Sequence, residues 1–384
     1  MLEKFFKDIE CIEIGINKWL TTFIAIVFIR MFLETFSGRG PNGVVASDLL
    51  TIVHYILFYI AALLSTILIL HFFTKKSIGA VSNISLFVFP IILLPPIIDF
   101  IVSMGKGFQM TYLIETPINL FYNFITFFGP SIQFGITIGI RVEILIALVL
   151  TFIYTYYSTK NILKSFFASI SMYLILFALL ATPSFIGVQT NYSWLFTIQN
   201  SLIGKNFFHP TIVFSTPTRT FEMYFNVVMA HVFYLYTIFL LLIYSLEWNY
   251  SKFIAIFRNS RPERVLHYFI IISFGIVAAI LGAKGSLEFN TWTDVTSILI
   301  LFLTFYFAWM FSVGCNDIVD QKTDAITNRS RPLITGVLST DDMRNSNKIF
   351  FLGAVIGGYL AGYFVLFAVL SFTALYYVYS YPPL

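Results

Sequence analysis

Apolar runs of about twenty residues recur along almost the whole of this 384-residue chain, and they constrain its fold more than any other feature. A helical run of that length matches the hydrocarbon thickness of a bilayer. The composition agrees, because 58% of the residues are hydrophobic and only 11% are charged, whereas soluble proteins carry about 25% charged residues. The sequence therefore predicts an all-α, polytopic membrane protein with ten or eleven transmembrane or re-entrant segments. Its net charge of +4 is too small to indicate a nucleic-acid partner.

The apolar runs predict ten spans, at 18–36, 49–72, 111–128, 131–157, 163–186, 221–246, 265–283, 293–314, 344–361 and 363–379. The stretch 80–104 is less regular, because Pro90, Pro95 and Pro96 interrupt it and prolines remove donors from a helix interior. A re-entrant hairpin or a broken helix is expected there. The distribution of Lys and Arg favours the hairpin, since it collects most cations on one side, which the positive-inside rule makes cytoplasmic.

The most informative polar stretch follows the predicted span at 293–314 and reads Asn316-Asp317-Ile318-Val319-Asp320-Gln321-Lys322-Thr323-Asp324. In a helix, Asn316, Asp320 and Asp324 share one face, and Asp317 joins it. Carboxylates so close together repel one another, and a cation relieves that repulsion. Oxygen ligands on one face, with positions left open, suit an Mg²⁺ ion that also holds a substrate phosphate. The same charge distribution predicts that this Asp-rich loop is cytoplasmic.

Two arginines follow the acidic stretch in a segment shaped by proline and glycine, Asn328-Arg329-Ser330-Arg331-Pro332-Leu333-Ile334-Thr335-Gly336. Guanidinium groups suit the recognition of phosphate oxygens. Acidic residues that hold a cation, with arginines next to them, predict a diphosphate site.

The pattern NDxxDxxxD followed by NxxRPLxxG, at residues 316–336, resembles the first Asp-rich motif of the UbiA superfamily of intramembrane prenyltransferases. Two flanking segments are also similar to that family. Ser260-Arg261-Pro262 resembles the opening of its first helix, and Tyr379-Ser380-Tyr381-Pro382-Pro383 resembles the segment after its fourth. The resemblance covers residues 255–384.

The resemblance implies an enzyme that ionises an allylic polyprenyl diphosphate with the help of Mg²⁺. The prenyl group would pass to an aromatic or hydroxyl acceptor that is accessible from the surrounding membrane lipids. The implied catalytic residues are Asp317, Asp320 and Asp324. The implied metal ligands are these three and Asn316, and the implied diphosphate ligands are Asn316, Arg329 and Arg331.

Members of the family have nine transmembrane helices and a second Asp-rich motif, and the 384 residues contain no match to that second motif. We therefore expect residues 251–384 to form the N-terminal half, about four helices, of such a domain. Truncation, or a second chain that supplies the missing helices, would explain the pattern. Residues 1–250 are expected to form a separate multi-span region of unknown function. The alternative is a non-catalytic membrane protein, a transporter or a scaffold, that carries a truncated half domain.

The N-terminal region also contains ionisable residues within or near its predicted spans. Arg30 and Glu34 are spaced as an i, i+4 ion pair. Intramembrane ionisable residues are candidates for function as well as for structural pairing. Both interpretations remain open for Asp99, Glu115, Arg141 and Glu143.

Overall fold

A computed structural model of the chain describes residues 2–37, 49–108, 112–129, 136–187, 217–282 and 292–381. Within these ranges the secondary structure is helical and contains no β-strand, which confirms the predicted all-α class. The helices are α1 Leu2–Glu10, α2 Ile16–Ser37, α3 Leu49–Thr74, α4 Ile78–Val88, α5 Leu94–Val102, α6 Pro117–Ile125, α7 Ile138–Thr159, α8 Ile162–Leu180, α9 Thr182–Gly187, α10 Pro217–Trp248, α11 Tyr250–Asn259, α12 Pro262–Gly282, α13 Trp292–Val319, α14 Gln321–Thr327, α15 Thr340–Ala361 and α16 Tyr363–Ser380.

Nine helical stretches in the described part of the chain are long and apolar enough to cross a bilayer. They are α2 as far as Thr35, α3, the run Ile78–Val102, α7, α8, α10 from Phe225 onwards, α12, α13 and α16. The predicted span at 111–128 was wrong, because the helix found there, α6, has nine residues and is too short to cross. The predicted span at 344–361 lies in α15, whose first turns are charged and which is not among the nine.

The run Ile78–Val102 is a broken helix, in which a 3₁₀ turn at Phe89–Leu93 joins α4 to α5. Prolines stand in the first positions of the turn and of α5, where the backbone N–H has no helical acceptor, so proline removes no hydrogen bond there. The two helices follow one another and do not pack side by side as the arms of a hairpin would. The re-entrant interpretation was therefore wrong. The run Ile78–Val102 adds one crossing and the missing span at 111–128 removes one, so the number of crossings before the Asp-rich loop is unchanged. The cytoplasmic side of that loop stays a prediction.

The chain divides into two compact units. The first comprises Met1–Ser193 with Tyr236–Tyr244, and the second comprises Trp194–Leu235 with Ser245–Leu384. Helix α10 therefore contributes residues to both, and the predicted domain boundary after residue 250 stays a prediction. In the first unit, the helix pairs with the most extensive contact are α7 with α8, α5 with α7 and α3 with α8.

In the second unit, α13 and α15 form the most extensive helix pair. Glycines in α15 allow this close approach. A methyl group at Gly353 would lie 2.8 Å from Cδ2 of Phe307, and one at Gly357 would meet Oγ1 of Thr304, both of which belong to α13. Spacing of small residues at i and i+4 is a common way to bring membrane helices together. This contact fixes the position of α13, whose C-terminal end carries the Asp-rich loop.

Candidate functional site

The Asp-rich loop keeps helical spacing although a turn at Asp320 separates α13 from α14. The backbone N–H groups of Asp320, Asp324 and Asn328 each donate to the carbonyl four residues earlier, over 2.9, 2.8 and 2.8 Å. Because this spacing persists through the turn, Asn316, Asp320 and Asp324 share one face, as the sequence predicted.

Asp317 is the buried centre of the site, with 2% of its side chain exposed. Its Oδ1 accepts from the guanidinium of Arg331, and NH2 of Arg261 lies 3.5 Å from the same oxygen. Its Oδ2 accepts from Nδ2 of Asn259 over 2.6 Å. Both carboxylate oxygens of Asp317 therefore have protein donors, and this side chain joins α11 and the turn at Arg331 to the end of α13.

The other two carboxylates have different surroundings. Asp324 is buried, accepts from Nδ2 of Asn328 over 2.7 Å and lies 3.9 Å from Nε of Arg331. Arg331 thus stands between two acidic side chains. Asp320 is only partly buried and accepts from Nδ2 of Asn316 over 2.7 Å. Of the three acids, Asp320 is the one without an arginine partner among the described residues.

Arg261 occupies a sharp junction between α11 and α12. Its φ of 55° lies in the left-handed region, which is uncommon for any residue other than glycine. The following Pro262 disfavours a right-handed helical backbone at Arg261, and it occupies the first position of α12. The preceding carbonyl, of Ser260, accepts from Nε1 of Trp309 over 2.8 Å. Burial, and then the nearby charge of Arg331, lower the pKa of Arg261 from its ordinary value.

A cavity of about 430 Å³ opens beside this junction. Its polar wall consists of Arg261, Arg264 and Asn316. The remaining wall is mainly apolar or aromatic and comes from α13 and α16: Trp309, Ser312, Val313, Leu375, Tyr376 and Tyr379. The cavity therefore places two guanidinium groups and one amide of the Asp-rich loop next to aromatic and apolar side chains.

The predicted diphosphate-binding arginines lie in different positions. Arg331 forms ion pairs with Asp317 and Asp324, whereas Arg329 is exposed. Neither lines the cavity. The cations that do so, Arg261 and Arg264, were not among the predicted site residues, although Arg261 belongs to the Ser-Arg-Pro segment noted from the sequence.

The donor set can be tested against Mg²⁺ on its chemistry. In the part of the chain that the structure describes, no three His, Cys, Asp or Glu side chains form a group that could hold a metal ion by themselves. Mg²⁺ usually takes one or two protein carboxylates and completes its shell with water and substrate phosphates. Asp320 and the amide oxygen of Asn316 fit that requirement, because they are neighbours and Asn316 lines the cavity. Asp317 fits less well, since both of its oxygens are engaged.

Residues 268–384 match the UbiA prenyltransferase family. The match confirms the resemblance predicted from the sequence, and at the level of the family it indicates a prenyltransferase embedded in a membrane. The matched range includes the Asp-rich loop, Arg329 and Arg331, and it begins after Arg261 and Arg264. No curated protein and no solved structure matches the chain.

Proposed function

We propose that the second unit binds a polyprenyl diphosphate together with Mg²⁺ and transfers the prenyl group to an aromatic or hydroxyl acceptor within the membrane. One observation carries the proposal. The same cavity presents Arg261, Arg264 and Asn316 on one wall and Trp309, Leu375 and Tyr376 on another. A diphosphate with a long apolar tail has the same division into an anionic head and a hydrocarbon chain.

Arg261 and Arg264 would donate hydrogen bonds to the diphosphate oxygens, as guanidinium groups commonly do with phosphates. Asp317 would hold Arg261 in place, since the two side chains are 3.5 Å apart and Asp317 is fixed by Asn259 and Arg331. Arg331 would act through this carboxylate, and the exposed Arg329 would contact the diphosphate from outside the cavity.

The metal would be held by Asn316, Asp320 and Asp324, and Asp317 would act mainly by ordering the arginines. A bound Mg²⁺ neutralises charge that develops on a leaving phosphate group. In the reaction, the allylic C–O bond breaks and its electron pair leaves with the diphosphate. The acceptor then forms a bond to the allylic carbon and loses a proton. The aromatic faces of Trp309 and Tyr376 can stabilise the allylic cation in between.

Binding of a radiolabelled prenyl diphosphate to the full chain in lipid nanodiscs tests the proposal most directly. We expect saturable binding that depends on Mg²⁺ and weakens about tenfold or more in Asp320→Ala and in Arg261→Gln, because each loses a charged contact. Asp341→Ala is the matched control, since Asp341 is an exposed carboxylate at the start of α15 whose side chain is 83% accessible.

Transfer to a mixture of quinol and phenol acceptors, measured with the same label, then tests the chemistry. Binding that does not depend on Mg²⁺, or that Asp320→Ala leaves unchanged, would contradict the assignment of the site. Normal Mg²⁺-dependent binding without transfer to any acceptor would favour the alternative of a non-catalytic membrane protein.

A further inference from the structure

The ionisable residues noted in the N-terminal region separate into two groups in the structure. Arg141 donates to the carbonyls of Phe128 and Gly129 over 3.1 and 2.7 Å, so it holds the turn that follows α6. Asp99 accepts from the backbone N–H of Gly139 over 2.8 Å and joins α5 to α7. Glu115 is partly exposed and accepts from Asn119. These contacts are structural, and they leave Glu143 to be explained.

Glu143 lies on α7, within a candidate span, and lines a partly open cavity of about 170 Å³ in the first unit. Its side chain is partly buried and makes no hydrogen bond with the residues that the structure describes, and the cation that attracts it is Arg30. A carboxylate without a hydrogen-bond partner in an apolar environment is costly. Such a group is therefore a candidate for binding something that the protein chain does not supply.

The charges around the cavity show what Glu143 lacks. Arg30 of α2 also lines the space, but NH2 of Arg30 lies 3.6 Å from Glu34 and its Nε donates to the hydroxyl of Tyr59 over 3.1 Å. This confirms the predicted i, i+4 pair. Arg30 also attracts Glu143 electrostatically, so this one guanidinium serves two carboxylates, Glu34 and Glu143, and one carboxylate is in excess.

The rest of the wall is mainly apolar and aromatic, with a few hydroxyl groups. It includes Phe6 of α1, Phe58 of α3 and Phe89 of the 3₁₀ turn, with Tyr154 of α7 next to Phe6 at a ring distance of 5.4 Å. Aromatic faces attract cations as well as apolar groups. An excess carboxylate within an aromatic wall therefore matches a ligand that is both cationic and apolar.

We propose that this cavity binds a small organic cation, an ammonium group carried on an aryl or short alkyl body, with the ammonium paired to Glu143. The volume limits the ligand, because a cavity of about 150 Å³ holds a molecule the size of benzene. Benzylammonium has the right size and charge to serve as a probe. The inference concerns the first unit and does not depend on the function proposed for the second.

Equilibrium dialysis of radiolabelled benzylammonium against the full chain in nanodiscs tests the proposal. Two competitors of similar size differ in charge, namely neutral benzyl alcohol, which is close to isosteric, and anionic benzoate. We expect saturable binding to one site, competition by benzyl alcohol that is about tenfold weaker or more, and no competition by benzoate.

Three variants locate the site. Glu143→Gln should weaken benzylammonium binding about tenfold or more, and should bring its affinity close to that of benzyl alcohol, because only the charge has been removed. Ala147→Phe fills the cavity and should abolish the binding of both ligands. Asp8→Asn changes an exposed carboxylate on α1 and should leave binding unchanged.

Thermal unfolding of each variant verifies that it is folded, and the ratio of the two affinities is independent of how much protein is active. Binding that does not saturate, equal affinity of the wild-type chain for benzylammonium and benzyl alcohol, or an unchanged ratio in Glu143→Gln would overturn the proposal. The first result would mean that the probe only partitions into lipid, and the second that the cavity does not select for a positive charge.

Discussion

Replacing Asp317 with asparagine removes one negative charge from between two guanidinium groups while it keeps the shape of the side chain. Asp317 is 2% exposed and accepts from Asn259 and Arg331, with Arg261 at 3.5 Å. Breaking a fully buried ion pair from one side costs about 3–5 kcal/mol. Here the side chains of Arg261 and Arg331 are 25% and 19% exposed, so water screens them in part. We therefore expect Asp317→Asn to lower the free energy of unfolding by about 2–4 kcal/mol.

Asp320→Asn is the matched comparison, since the chemical change is the same and the two positions are three residues apart. Asp320 is partly exposed and has one hydrogen bond, to Asn316, which asparagine can also accept. We expect a loss of less than about 1 kcal/mol in stability, but loss of Mg²⁺-dependent binding of a prenyl diphosphate.

Equilibrium unfolding in mixed detergent micelles, measured on both variants and the wild-type chain, gives the two free energies. Diphosphate binding in nanodiscs gives the second readout. If Asp317→Asn were as stable as the wild-type chain, or if Asp320→Asn were the less stable variant, the division between a structural and a metal-binding carboxylate would be wrong.

Three further predictions concern helix packing, the pH dependence of stability, and the arginines Arg329 and Arg331. Gly357→Ala should destabilise the protein by about 1–3 kcal/mol through overpacking against α10 and α13, whereas Gly275→Ala, with nothing within 4 Å, should stabilise it by about 0.5–1 kcal/mol; chemical unfolding measures both. Burial raises the pKa of Asp342, but hydrogen bonds from Lys252 and Ser339 outweigh this and lower it below its unfolded value of 3.8. The contribution of this carboxylate to the free energy of unfolding is fully present above pH 3.8 and is lost as the pH falls below it. In an acid titration, Asp342→Asn should therefore lose less stability than the wild-type chain. Arg331→Ala should cost about 2 kcal/mol or more in stability, and Arg329→Ala less than about 0.5 kcal/mol, as thermal unfolding with both variants side by side would show.

Much of the fold follows from the sequence, because the length of an apolar run is a direct measure of whether a helix can cross a bilayer. The two errors in the first unit have different causes. The distribution of Lys and Arg favoured a hairpin at 80–104, whereas the prolines of the run Ile78–Val102 occupy positions that a helix tolerates. Conversely, the run at 111–128 is apolar but contains only the short α6, whose start is set by Thr116 and Pro117.

The candidate site was predictable where its residues are close in sequence and not where they meet through folding. The shared face of Asn316, Asp320 and Asp324 follows from helical spacing, and the structure has it. The contact of Asn259 with Asp317 joins residues 58 positions apart, and no local pattern indicates it. The ion pair of Arg331 with Asp317 could not be predicted either, since spacing alone does not show whether an arginine faces a ligand or an acidic side chain.

The left-handed backbone of Arg261 has a consequence for how fast the proposed diphosphate ligand would bind. A residue in this region costs of order 1–3 kcal/mol, and the contacts of Asp317 and Trp309 with this junction offset that cost when the protein folds. The guanidinium of Arg261 is thus in position before an anionic ligand arrives, and this side chain would not have to become ordered during the encounter. Association of an anionic head group would then be limited by diffusion through the local electric field. Added salt should slow that association much more than it changes the lifetime of the complex.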